Sequence, residues 1–332
     1  MDIRNRKEIC RFSSERLQNT PQCGKISLIY SGVIIGMSVL AAAVQYALRL
    51  SMSNAGGLSN IGTRTILSSL QTMLPLVQSV VAMCLEVGFM AAMLRIARGQ
   101  YVSPQTLRLG FDRFWVLLRY TILESVFLAG MAIAGIYVGV LIFLATPLSA
   151  GVVELLSPLI SQTSILNSAV VIPDDVYSAV LTAMAPAYLI CGILAMVGII
   201  PMVYRLRMSR YVIIDKPALG AVAAIRESRR MTRRNCLQLF KLDLRLWWYF
   251  AATAGASVLC YGDQLLPLLG VNLPLHEDVA FFLFYGLYWA AQFAIFYFLL
   301  PKVSVAYALA YDALRPKEEP TNGVVLGNIF QM

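Results

Sequence analysis

The sequence predicts an all-α membrane protein, a polytopic bundle of six transmembrane helices. Of its 332 residues, 58% are hydrophobic and only 14% are charged, whereas a typical soluble domain has about 25% charged residues. The apolar residues come in long blocks, and the basic residues are concentrated between those blocks. A chain with so few charges cannot cover the surface of a soluble domain of this length, so the sequence places it in a bilayer.

Six apolar blocks are the predicted transmembrane spans. The first, Ile26 to Leu48, has no charged residue and is long enough at about 1.5 Å per residue to cross a hydrocarbon core of roughly 30 Å. The fifth is the weakest, because its apolar part, Trp247 to Tyr261, is short and crosses only if Leu237 to Leu246 lengthens it. The predicted spans are residues 26–48, 70–94, 115–145, 176–204, 237–262 and 279–300.

Prolines and small residues indicate how these helices bend and pack. Pro75 and Pro186 interrupt the second and fourth blocks, Pro201 is expected to kink or end the fourth span, and Pro301 is expected to close the sixth. A stripe of small residues in the third span predicts close helix packing rather than ligand binding. Its members are Ala129, Gly130, Ala134, Gly135 and Gly139.

The basic residues predict which side of the membrane each connection occupies. Residues 1–25, a basic N-terminal segment, hold six Lys or Arg; residues 95–119 hold five, 205–245 eleven, and the chain from residue 302 three, out of 27 in all. Two more, Arg49 and Arg64, lie in the first opposite loop. The positive-inside rule therefore places both termini in the cytoplasm. The tail, residues 315–332, has the composition of a disordered end.

A second basic feature is a predicted helix in the connection between the fourth and fifth spans. Arg226, Arg229, Arg230, Arg233 and Arg234 recur at helical spacing, which aligns them on one face of a continuous helix. The opposite face, with Ala221, Ala224, Ile225, Ser228 and Met231, suits packing on protein or shallow insertion into the membrane interface. The arginines either fix topology near anionic lipid phosphates, or dock an acidic partner or a lipid headgroup.

Two carboxylates lie inside predicted spans. Glu86 is in the second span and Glu124 is in the third, and both fall in the cytoplasmic halves of consecutive helices. Together, with Gln45 or Gln292, they could form a proton or cation site, because a charge inside the membrane must face protein or water. The alternative is that each is neutral or pairs with Arg119 or Arg95 as a structural contact.

No arrangement of residues typical of an enzyme is found. His276 is the only histidine, and beside Glu277 and Asp278 it offers too few ligands for a defined metal site. The six cysteines form no CxxC pair, and no phosphate-binding glycine loop is present. The sequence therefore predicts no enzyme activity, no metal and no cofactor. The net charge of +9 lies between apolar blocks, so nucleic acid is not an expected partner.

The C-terminal half contains a distinctive set of residues: Pro201, Tyr204, Tyr211, Asp215, Pro217, Ser228, Met231, Leu239, Phe240, Leu242, Trp247 or Trp248, Pro301, Ala306, Tyr307, Tyr311 and Leu314. In these residues the chain resembles a family of bacterial integral membrane proteins known as domain of unknown function 975. The resemblance is strongest from Gly198 to Leu314 and looser over Gly88 to Arg119. Residues 232–235 depart from it, because a glycine is expected soon after Met231. The resemblance implies six spans in a bacterial cytoplasmic membrane and supplies no catalytic residues.

We therefore expect a non-enzymatic membrane protein, an accessory or scaffolding component that acts through partners or lipids. Anionic lipid headgroups are the expected ligands of the basic helix. Another membrane or cytoplasmic protein, or a second copy of the chain, is the alternative partner. The alternative function is a small transporter or channel component that uses Glu86 and Glu124.

Overall fold

The computed structural model describes residues 5–54, 61–147, 149–152, 154, 174–262, 265 and 277–315. All regular secondary structure within these ranges is helical, which confirms the predicted all-α class. The helices are α1 (Arg6–Gln18), α2 (Gln22–Asn54), α3 (Ile61–Ala97), α4 (Leu109–Asp112), α5 (Phe114–Ala145), α6 (Asp174–Leu206), α7 (Ser209–Asp215), α8 (Ala221–Thr232), α9 (Cys236–Arg245), α10 (Trp247–Cys260), α11 (Glu277–Ala294) and α12 (Leu300–Leu314). A 3-10 turn, Pro104–Arg108, precedes α4, and a π-helical turn, Ile295–Leu299, joins α11 to α12.

Five helical segments in the described ranges are long and apolar enough to cross a membrane. They are Gln22–Leu48, Thr65–Ala97, Phe114–Ala145, Thr182–Asp215 and Phe282–Leu314. These segments overlap five of the six predicted spans, namely the first four and the sixth. By the length and composition of its helices, the chain is suited to a membrane.

The predicted fifth span is divided into two helices. α9 and α10 meet at Leu246, whose backbone (φ −96°, ψ 18°) is not helical. α10 has 14 residues, so its length of about 21 Å is less than the thickness of a hydrocarbon core. The sixfold count therefore remains a prediction.

Neither proline expected near the end of a span ends its helix. α6 continues past Pro201 to Leu206, so of its two expected roles only the kink remains a prediction. Pro301 does not close the last span either, because it occupies the first turn of α12, which runs on to Leu314. Proline is tolerated in a first turn, where its missing N–H would have no helical partner. A π-helical turn directly precedes this helix, and such local adjustments are how helices in membranes tolerate proline.

The N-terminal basic segment is folded rather than a simple polar extension. α1 packs against α12 and α3, with Ile9 and Ser13 buried. The Ser13 hydroxyl donates a hydrogen bond to the carbonyl oxygen of Lys302 at 3.3 Å. Residues 316–332, most of the predicted disordered tail, lie outside the described residues.

The chain divides into two compact units. The first comprises residues 1–118 and 208–332, and the second comprises residues 119–207. The core of the first unit surrounds the second half of α3, which packs against α1, α2, α4, α7 and α12. Phe89, Met93, Tyr211 and Tyr311 are almost fully buried there.

The second unit contains α5 and α6, which approach closely through small residues. A Cβ atom on Gly135 would lie 2.6 Å from the Cα of Ala195, and one on Gly139 would lie 2.7 Å from the Cα of Cys191. Close contact between small residues is how apolar helices pack without a hydrophobic driving force. The predicted packing role is confirmed for these two glycines, whereas a Cβ on Gly130 would meet no atom within 4 Å.

Two further glycines let α3 touch the 3-10 turn and α4 backbone to backbone in the first unit. A Cβ on Gly88 would overlap the carbonyl oxygen of Leu107 in the 3-10 turn, and one on Gly110 of α4 would overlap the carbonyl oxygen of Cys84. Backbone atoms cannot move aside as a flexible side chain can. Any larger residue at Gly88 must therefore separate α3 from the turn, and any larger residue at Gly110 must separate α3 from α4.

We predict that Gly110→Ala and Gly88→Ala each destabilise the protein by about 1–3 kcal/mol, the usual cost of overpacking. The measurement is the thermal unfolding midpoint of the purified protein in lipid particles. Gly255→Ala and Gly286→Ala are matched controls, because a Cβ at these helical positions meets only open space. Equal midpoints for all four variants would contradict the close packing of α3 against the 3-10 turn and α4.

Candidate functional site: an exposed arginine surface

The basic helix predicted from the sequence is α8. It begins after Gly220, and its buried residues include Ala221, Ala224, Ile225, Ser228 and Met231, the whole face that the periodicity assigned to packing. This face packs against α7. The five exposed arginines, Arg226, Arg229, Arg230, Arg233 and Arg234, are called the arginine surface below. Because protein covers the apolar face of α8, that face is not available for insertion into the membrane interface.

The expectation of one continuous helix through Arg234 is wrong. α8 ends at Thr232, and Arg233 to Asn235 form a turn before α9. Polar side chains donate hydrogen bonds to backbone carbonyl groups at the helix end. The Thr232 hydroxyl donates to Ser228 O at 2.8 Å, and the Asn235 amide donates to Met231 O at 3.3 Å. Such local side-chain hydrogen bonds compete with the backbone hydrogen bonds of the helix. Because α8 ends at Thr232, three of the arginines lie on α8 and two lie on the turn.

The arginine surface is weakly neutralised. Glu227, the one acid in α8, lies 3.5 Å from Arg230 and 3.7 Å from Lys216. Within the described ranges, no carboxylate pairs with Arg226, Arg229, Arg233 or Arg234. The side chain of Arg230 is itself 70% exposed, so its pair with Glu227 contributes little. The surface therefore presents several uncompensated positive charges.

A separate group of four charged residues joins three helix ends. We call Arg98, Asp215, Asp312 and Arg315 the ionic cluster. The Arg98 guanidinium, just after α3, donates to Asp312 at the end of α12 at 2.6 Å and to Asp215 at the end of α7 at 2.7 Å. Arg315 also pairs with Asp215, at 3.0 Å. The hydrogen bonds to Asp312, followed by those to Asp215, raise the pKa of Arg98 above its ordinary value.

Tyr311 and Tyr211 extend the ionic cluster into the core, and a third tyrosine, Tyr307, joins α12 to α9. Tyr311 donates its hydroxyl hydrogen bond to Asp215 at 3.0 Å and stacks on Tyr211 with ring centroids 5.5 Å apart. Tyr307 donates to Asp243 of α9 at 2.5 Å. α12 is thus tied by polar contacts to both α7 and α9.

The predicted carboxylates do not form a described pair. Glu86 accepts a 2.6 Å hydrogen bond from Arg210, which lies on α7. The partner of Glu86 is Arg210, rather than Arg119 or Arg95, because α7 packs along α3. Glu124 lies on α5 in the second unit. The predicted shared site at Glu86 and Glu124 therefore stays a prediction.

The described residues offer no ready metal site. No group of three or more His, Cys, Asp or Glu side chains within them is placed to hold a metal ion. His276 lies outside the described residues. The chemistry available at the arginine surface is the binding of anionic groups.

Comparison with known families agrees with the resemblance seen in the sequence. The family model "Protein of unknown function (DUF975)" matches residues 1–318. The chain belongs to the DUF975 family. The DUF975 match includes the first 70 residues, where the sequence resemblance was not apparent. No curated protein and no solved structure matches the chain.

The ionic cluster is the feature that sequence reasoning missed. Arg98 is separated from Asp215 by 117 residues and from Asp312 by 214, so no local pattern connects them. The available signal was the DUF975 resemblance, which included Tyr211, Asp215, Tyr307 and Tyr311 without indicating that they meet.

We predict that Asp215→Asn lowers the free energy of unfolding by roughly 1.5–3 kcal/mol, because it weakens hydrogen bonds from two arginines and one tyrosine to a charged acceptor. Asp215 is suited to this test because its side chain is only 8% exposed. The control is Glu15→Gln, which removes the exposed Arg11–Glu15 pair and is expected to cost less than about 0.5 kcal/mol. Denaturant unfolding measures both; a loss for Asp215→Asn no larger than the control would contradict this role.

Proposed function

We propose that this DUF975 protein is a non-enzymatic accessory or scaffolding component of a bacterial cytoplasmic membrane, and that it acts by binding anionic groups at the arginine surface. The ligands are the phosphates of anionic lipids or the carboxylates of a protein partner. The observation that carries the proposal is a set of exposed arginines on a helix whose opposite face is already buried against protein. Because the helix packs through its apolar face, its exposed charged face can contact a ligand.

A topology of six spans, with both chain ends in the cytoplasm, is part of this proposal. The ionic cluster supports it, because the ends of α3, α7 and α12 all meet there. Both α7 and α12 end at the ionic cluster. The segment that follows α7 must therefore reach the opposite end of the helices before α12 can return the chain to the cluster. Between them, the described helices α9 and α10 supply 24 helical residues, about 36 Å in length, which is enough for one crossing.

The position of the arginine surface favours contact with the membrane boundary. α8 begins six residues after Asp215, where the apolar segment Thr182–Asp215 ends. Each Lys or Arg near an anionic membrane surface contributes about 1 kcal/mol to the attraction. Several arginines held on one short helix and its following turn are therefore sufficient for stable binding of anionic headgroups, or for docking an acidic segment at the same level.

The alternative function is transport through an intramembrane carboxylate site. Glu86 lies within the segment Thr65–Ala97, and its side chain is 45% exposed although it is paired with Arg210. Transport at this carboxylate requires Glu86 to exchange Arg210 for a proton or a cation during each cycle. We favour the accessory function because the ion pair occupies the carboxylate.

We predict that the double variant Arg229→Glu/Arg230→Glu loses bound anionic lipid, or a bound acidic protein, when the protein is extracted in lipid particles and examined by native mass spectrometry. The reason is that repulsion replaces attraction at the centre of the arginine surface. Lys7→Glu/Arg11→Glu is the matched control, since it reverses two exposed charges on α1. Unchanged binding in the α8 variant, or a change in membrane orientation alone, would contradict the proposal.

A second prediction concerns the carboxylates. Glu86→Gln and Glu124→Gln, singly and together, are expected to leave ion and proton flux across reconstituted vesicles unchanged. Glu86→Gln should still lower thermal stability, because it removes the charge that pairs with Arg210. Flux that is present in the native protein and absent in the double variant would support the transport function and contradict the accessory function.

A further inference from the structure

A cavity of about 430 Å³ opens between α2, α3 and α11 in the first unit. Its volume is in the usual range for small-molecule sites. Two glutamines and four aromatic residues provide its distinctive chemistry: Gln45, Gln71, Tyr46, Phe282, Tyr285 and Trp289. None of these residues belongs to the arginine surface or the ionic cluster.

The cavity lies near the end of the bundle opposite the ionic cluster. Along α3, Gln71 precedes Arg98 by 27 positions, which corresponds to about 40 Å of helix. On α2, Gln45 and Tyr46 lie near the end of the apolar segment Gln22–Leu48, and Phe282 begins the segment Phe282–Leu314. Tyrosine and tryptophan are typical of membrane–water interfaces, where an apolar ring and a polar tip are both accommodated. The cavity therefore lies at the depth that the head group of a lipid-like molecule occupies in a membrane.

The two glutamine side chains identify the polar part of the ligand. Among the residues that the structure describes, neither the Gln45 nor the Gln71 carboxamide has a hydrogen-bond partner. Both glutamines are partly buried beside apolar and aromatic side chains, where an unsatisfied donor or acceptor is unfavourable. An amide can both donate and accept, so it matches a hydroxyl group, which does the same.

The remaining lining determines the charge and the apolar part of the ligand. None of the described lining residues is charged, so a charged head would lose its hydration without gaining an opposite charge. Tyr46 and Phe282 meet edge to face, with ring centroids 5.5 Å apart, and close one wall. The rings offer a surface for an apolar chain.

We propose that this cavity binds an amphiphile with an uncharged, hydroxyl-bearing head group and a single apolar chain. The hydroxyls bond to the carboxamides of Gln45 and Gln71, and the chain lies against the aromatic wall. This cavity is independent of the arginine surface, because the two sites share no residue. The arginine surface needs an anionic ligand, whereas the cavity needs an uncharged one.

The test is native mass spectrometry of the full chain in lipid particles, titrated with mono-oleoylglycerol, which has an uncharged diol head, and separately with oleate, which has a similar chain and a charged head. We expect mono-oleoylglycerol to remain bound at concentrations at least tenfold below those needed for oleate. Gly286→Phe should weaken this binding at least tenfold, because it projects a ring from a cavity-lining position whose Cβ direction is open. Gly255→Phe, at an open position outside the cavity lining, is the matched control.

A second pair of variants keeps the test valid if Gly286→Phe does not fold. Gln45→Met and Gln71→Met preserve side-chain length and remove the hydrogen bonds, and each should weaken binding of mono-oleoylglycerol about three- to tenfold. Equal binding of oleate and mono-oleoylglycerol would overturn the uncharged specificity. Equal binding of mono-oleoylglycerol to the native protein and to these variants would overturn the site.

Discussion

The contact on which the rest of the structure depends is the set of ion pairs made by Arg98. One guanidinium, positioned where α3 ends, holds Asp215 and Asp312 and so brings the ends of α7 and α12 to the same place. Gly99 makes this possible: its left-handed backbone, φ 73°, stops α3 next to Arg98. α7 then supports α8. The orientation of the arginine surface is thus a consequence of a cluster whose members are distant in sequence.

Much of the fold followed from local patterns. Long apolar blocks predicted five of the membrane-length helices, because length and hydropathy alone determine such segments. Helical periodicity predicted the buried face of α8, and small-residue spacing predicted the approach of Gly135 and Gly139 to α6. These features are decided by residues that are neighbours on the same helix, so a single sequence contains the necessary information.

The features that were not predicted depend on side chains that compete for backbone hydrogen bonds, or on contacts between residues that are distant in sequence. The end of α8 at Thr232 results from side-chain bonds to backbone carbonyls, which hydrophobic periodicity does not register. The helical path through Pro301 continues directly from a π-helical turn. The partner of Glu86 is Arg210, 124 residues away. The same limitation applies to the division of α9 from α10, since no proline or glycine marks the break at Leu246.

We propose that α9 and α10 carry the chain across the membrane, so that the C-terminal end returns to the cytoplasmic side, which the N-terminal end and the arginine surface also occupy. In a variant without the six native cysteines, single cysteines at Gln18, Arg226 and Tyr261 would report the side occupied by α1, α8 and the end of α10. We expect a membrane-impermeant maleimide to label Tyr261→Cys in intact cells, but to label Gln18→Cys and Arg226→Cys only after permeabilisation. Protection of Tyr261→Cys until permeabilisation, or labelling of Arg226→Cys in intact cells, would contradict this proposal.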